Sequence, residues 1–108
     1  MGIERRQSPR RELVVEAVLT SDGMVPTKVT TRELGRFGMS LTDIEKPLAA
    51  GQVVGVWFYM FDAGHLQKVV VRGRVSHCMK DLNDCYRAGL QFISLDAVLG
   101  DLFSKYVG

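Results

Sequence analysis

From residue 68 to residue 79 the chain alternates: Val69, Val71, Gly73 and Val75 fall on one face, and Val70, Arg72 and Arg74 on the other. A period of two marks an extended strand with one face buried, because a helix would scatter these side chains around its axis. The same grammar recurs along most of the chain. Residues 13–19 read as a first strand, closed by a turn at Ser21, Asp22 and Gly23. Residues 25–32 form a second, which residues 33–38 interrupt with two glycines, and residues 39–41 resume as a short strand. Residues 52–61 make a long apolar strand after the loop between Pro47 and Gly51. A turn over residues 81–84 folds residues 75–79 and 86–92 into a hairpin.

Only the end of the chain changes period. Leu95, Val98, Leu99, Leu102, Phe103 and Tyr106 lie at helical spacing, with Ser94 as N-cap and Asp96 in the first turn. Gly100 weakens this helix, over about residues 95–107, without breaking it. The expected fold is mainly β: a small six-stranded antiparallel β-barrel with one C-terminal α-helix, since closure removes the open sheet edges.

With 108 residues, 46% of them hydrophobic, the chain is one domain that can bury a core without disulfides or a structural metal. Its longest apolar run, residues 53–61, is far short of the roughly twenty needed to span a bilayer. No apolar stretch follows the first methionine, and the two cysteines show no framework spacing, so a reducing cytoplasmic setting is expected. The charge is unevenly placed. Residues 1–11 hold Arg5, Arg6, Arg10 and Arg11 against Glu4, whereas the rest of the chain is close to neutral. Residues 1–12 therefore read as a flexible arginine-rich arm, and residues 13–108 as the barrel with its helix. A compact anionic target suits this arm better than a nucleic-acid polymer, which calls for a wider basic face. Trp57, Phe58 and Tyr59 are consecutive and must alternate between faces, so they form no stacking platform.

Catalysis finds no support. His65 and His77 belong to no motif with a nucleophile, and no serine sits in a nucleophile elbow. Neither a phosphate-binding loop nor a dinucleotide fingerprint is present. His77, Cys78 and Cys85 match no standard zinc spacing. The expectation is a non-enzyme with no metal and no cofactor.

Two segments carry the functional signal. Arg5, Arg6 and Arg10 place three guanidinium forks just before the first strand, each able to grip phosphate or the O6/N7 edge of guanine. Glu33, Leu34, Gly35, Arg36, Phe37 and Gly38 then join two strands. A carboxylate can accept the N1–H and N2–H of guanine. The glycines permit close backbone approach and positive φ.

With these two segments the chain resembles the PilZ family, small bacterial β-barrel domains that bind cyclic di-GMP. Arg5, Arg6 and Arg10 match its first motif, RRxxxR. Glu33, Gly35 and Gly38 occupy the three positions of its second, [D/N]xSxxG, in which Gly38 is identical. Residues 47–52, 71–75 and 86–92 also look like the family's later loop and strands. The resemblance implies a cyclic di-GMP-binding module in which Arg6 and Arg10 are the principal clamp and Arg5 assists. Glu33 takes the acid's role, Arg36 either adds charge near a phosphate or crowds the site, and Gly35 lacks the serine hydroxyl. It implies that the arm orders on the nucleotide and presents a new surface to an unidentified protein partner. The alternative is a degenerate domain that binds no nucleotide and acts as a protein–protein adaptor. Either reading admits a monomer or a homodimer.

Overall fold

The computed structural model describes residues 9–108. Its strands are β1 (Arg10–Glu12), β2 (Glu16–Thr20), β3 (Thr27–Gly35), β4 (Gly38–Ile44), β5 (Val53–Asp62), β6 (His65–Lys80) and β7 (Tyr86–Phe92), followed by helix α1 (Ala97–Val107). Strands β3, β2, β5, β6, β7 and β4 pair in that order, and β4 returns to β3. This is the expected six-stranded antiparallel barrel. Strand β1 is an addition: it lies along the same edge of β3 as β2, with Arg10 opposite Gly35 and Glu12 opposite Glu33.

The strand expected over residues 13–19 is thus broken, and Thr31 is the reason. On either side of the break the ladder is kept, by Leu13 N–H donating to the Arg32 carbonyl and Thr31 N–H to the Val15 carbonyl, both at 2.9 Å. Between them the wholly buried Thr31 hydroxyl accepts from Val15 N–H at 2.9 Å and donates to the Leu13 carbonyl. One side chain therefore satisfies a donor and an acceptor that the sheet has left unpaired. Thr31→Val keeps the shape and orphans both groups. It should cost about 1–3 kcal/mol, read as a lower urea midpoint; an unchanged midpoint would show that the hydroxyl is dispensable.

Alternation places the core inside the barrel as the sequence predicts. Val54, Val56, Phe58 and Met60 of β5 and Val69, Val71 and Val75 of β6 are all buried. Trp57 and Tyr59 point outward, with Tyr59 45% exposed. Helix α1 covers the barrel with Leu102 and the fully buried Phe103, whose ring centroid is 5.4 Å from that of Phe92. Burying a phenylalanine side chain is worth about 1.5–3 kcal/mol, enough to hold a short helix down. Its cap is Asp96 rather than Ser94: Asp96 Oδ1 accepts from Leu99 N–H at 2.8 Å. Ser94 has φ near +52°, outside the extended conformation an N-cap requires. No helix among the described residues is long and apolar enough to cross a membrane.

The glycine segment also differs from its reading. Strand β3 runs through Glu33 to Gly35 and β4 begins at Gly38, so the loop is only Arg36 and Phe37. Neither Gly35 nor Gly38 has positive φ. Close approach is what Gly38 supplies, since a Cβ there would stand 2.3 Å from the Leu90 carbonyl oxygen.

Candidate functional site

Two bulges and a pair of small residues shape the site. The β3–β4 register slips between Thr31 and Glu33, so Arg32 and Glu33 both leave the core. The β6–β7 register slips between Val75 and His77, and Ser76 and His77 both turn outward. Bulges of this kind re-aim side chains that strict alternation would send to opposite faces. Between the two lies a low floor, with Glu33 opposite Ser40, Ser40 opposite Gly89, and Gly89 opposite His77.

The result is a cleft of about 350 Å³ lined by Arg10, Arg32, Glu33, Ser40, His77, Met79 and Arg87, with Leu41 and Ala88 at its base. Such a volume is within the range of small-ligand sites. The His77 ring lies over Gly89, where a Cβ would come within 2.4 Å of its Cε1. Ser76 holds this arrangement, donating to the Gly89 carbonyl at 3.1 Å with its Oγ 3.2 Å from His77 Nδ1. Across the floor, Ser40 Oγ accepts from Glu33 N–H at 3.2 Å, which leaves its own proton to donate to a ligand. Among the described residues, none of the three guanidiniums of Arg10, Arg32 and Arg87 is in an ion pair. The cleft therefore favours an anion that can use planar donors.

The expected site residues divide accordingly. Arg10 and Glu33 line the cleft together, although 23 positions separate them in sequence. Gly35 lies directly beneath Arg10, and a Cβ there would approach Arg10 Cγ to 3.3 Å. A serine at this position would crowd the arginine stem, which would have to give by a few tenths of an ångström. Gly38 fits β4 against β7, and Arg36 stands exposed at the hairpin tip without lining the cleft. Arg5 and Arg6 lie outside the described residues. Arg32, Ser40, His77 and Arg87 were not anticipated. Their signal was faint: the adjacent polar pairs Arg32-Glu33 and Ser76-His77 break the period of two, as a bulge does.

A larger cleft, about 750 Å³, lies at the other end of the β3–β4 hairpin, between Met24, Val25, Pro26, Pro47 and Leu48. It gathers Lys28, Glu45 and Lys46 and contains no arginine, so it has no fork for a phosphate or a guanine edge. No group of three or more His, Cys, Asp or Glu among the described residues could hold a metal ion. Cys78 and Cys85 are free thiols. Desolvation, then Asp81, Asp43, Glu45 and Asp84, push the Cys85 pKa upward, away from a reactive thiolate.

Comparison with known proteins bears on the family and the fold. A family model, PilZ domain, matches residues 4–108. The inhibitor of motility MotI/DgrA from Bacillus subtilis superposes with a TM-score of 0.83 at 13% identity, covering 97% of this chain and 50% of that one. The MrkH–c-di-GMP complex of K. pneumonia gives 0.74 at 13% identity, covering 96% and 51%. The PilZ domain of YcgR from Escherichia coli, solved with c-di-GMP, gives 0.75 at 13% identity, covering 96% and 89%. The chain thus spans about half the length of the first two. No curated protein sequence matches it.

Proposed function

The chain belongs to the PilZ domain family, and on that premise we propose that it is a receptor for cyclic di-GMP, bound in the cleft between β1, β3, β4, β7 and β6. One observation carries the reading. The two motifs meet as neighbours in one β-ladder, Arg10 opposite Gly35 and Glu12 opposite Glu33, so the clamp arginine and the acid open onto the same cleft. Two of the neighbouring folds are described as complexes with this nucleotide.

In this reading Arg10 and Arg6 grip guanine and phosphate, with Arg5 assisting. Bidentate bonds from a guanidinium to an anion are stronger than neutral ones and fix orientation. Glu33 accepts from the guanine N1–H and N2–H edge. The hydroxyl absent at Gly35 is partly replaced by Ser40 on the cleft floor. A neutral hydrogen bond contributes about 0.5–1.5 kcal/mol, so even its complete loss leaves binding weakened rather than abolished. Arg36 meets only the outer phosphate, if the nucleotide extends to the hairpin tip. The arginine-rich arm then orders on the nucleotide, and the ordered arm is the surface that a protein partner reads.

Calorimetric titration of the full chain with cyclic di-GMP, alongside GMP and linear pGpG, tests the proposal. The expected result is micromolar or tighter binding to the cyclic dinucleotide, with GMP and pGpG weaker. No heat and no thermal stabilisation at millimolar ligand would overturn the receptor reading. Because Gly35 departs from the family motif, that outcome would leave the nucleotide-independent adaptor as the working description.

A further inference from the structure

Strand β1 is only three residues long, yet its two faces do different things. Arg10 faces the ligand cleft. Arg11, one residue on, lines a separate recess with Met60, Phe61, Leu102 and Tyr106, against the end of helix α1. There Arg11 Nη1 donates to the Tyr106 carbonyl at 2.9 Å, and its guanidinium lies 4.6 Å from the centre of the Tyr106 ring. The Tyr106 hydroxyl in turn donates to the Glu12 carbonyl at 2.6 Å. Glu12 is the ladder partner of Glu33, the acid of the cleft.

Resting on the receptor reading, we propose that Arg11 and Tyr106 are positioning residues for nucleotide binding, and that the last turn of helix α1 and the ligand stabilise one strand from opposite sides. Neither residue lines the cleft. The physical basis is order. Three residues paired on one edge make a marginal strand, and each contact that holds them reduces the freedom that binding must remove. The helix does not depend on this contact for its own docking. Phe103 and Leu102 are buried in the barrel, and Lys105 pairs with Asp62 at 3.2 Å. The contact can therefore be cut while the domain stays folded. Linkage is reciprocal: if the helix end strengthens nucleotide binding, the nucleotide strengthens the helix end by the same factor. The last turn of α1 is then a readout of site occupancy on the far side of β1, available to a partner.

Two variants separate this from a purely structural contact. Tyr106→Phe removes only the hydroxyl, and Arg11→Ala removes the stack and the second hydrogen bond. Each should weaken cyclic di-GMP binding about two- to tenfold while the melting temperature stays near that of the wild type. In the wild-type chain, ligand should slow amide exchange in residues 104–107 several-fold, and Tyr106→Phe should abolish that protection. If the wild-type chain binds and both variants match its affinity, or its last-turn exchange ignores ligand, the coupling is absent and the receptor reading survives. If the wild-type chain does not bind, the receptor reading fails and the coupling falls with it.

Discussion

Gly38→Ala should lower the melting temperature by roughly 15 °C, a loss of about 3 kcal/mol for a domain of this size. The added Cβ would stand 2.3 Å from the Leu90 carbonyl oxygen. That neighbour is backbone in the middle of β7, so no side-chain rotation relieves the clash. Either β4 separates from β7, where Met39 pairs with Leu90 and Gly38 with Gln91, or the hairpin tip moves away with the Phe37 carbonyl that accepts from Phe92 N–H. Both movements open the barrel beside the candidate site. Gly100 is the control: a Cβ there meets nothing within 4 Å, inside a helix, so Gly100→Ala should raise stability by up to about 1 kcal/mol. Thermal denaturation of the two variants decides the matter. Equal stability would mean that β4 and β7 are not packed as closely as described.

The double variant Arg6→Ala/Arg10→Ala should lose at least about a hundredfold in affinity for cyclic di-GMP, because hydrogen bonds to charged groups are worth about 1.5–3 kcal/mol each. It should leave the barrel intact. Arg10 is exposed and lies over Gly35 rather than in the core, and substitutions at such sites usually change stability by less than about 0.5 kcal/mol. Titration calorimetry and melting curves on the same preparation separate the two effects. Retained affinity would dismiss the arginine clamp, whereas lost affinity with a lowered melting temperature would assign Arg10 a structural role through β1.

Much of this protein was legible in its sequence, because the information is local. Alternation in residues 68–79 and 52–61 fixes which side chains enter the core wherever strands pair. The helical stripe of Leu102, Phe103 and Tyr106 fixes one face of α1 in the same way. The motif spacing singled out Arg10 and Glu33, which do share the cleft. What tertiary structure decided is the set of relations that local period cannot encode. The register slips at Arg32 and Ser76 bring Arg32 and His77 into the site, and each depends on a partner strand. Thr31 reads as one more β-branched strand residue until the break between β1 and β2 presents it with an orphan donor and acceptor. Gly35 looks like a lost serine until β1 lays the Arg10 stem across it. Arg11 and Tyr106 stand 95 positions apart, and only closure of the barrel, with the helix folded back over its end, puts a guanidinium on that ring. Side-chain period is set by each residue's own backbone, whereas register is set by which hydrogen bonds two distant strands form. A sequence reports the first directly and the second only through the fold.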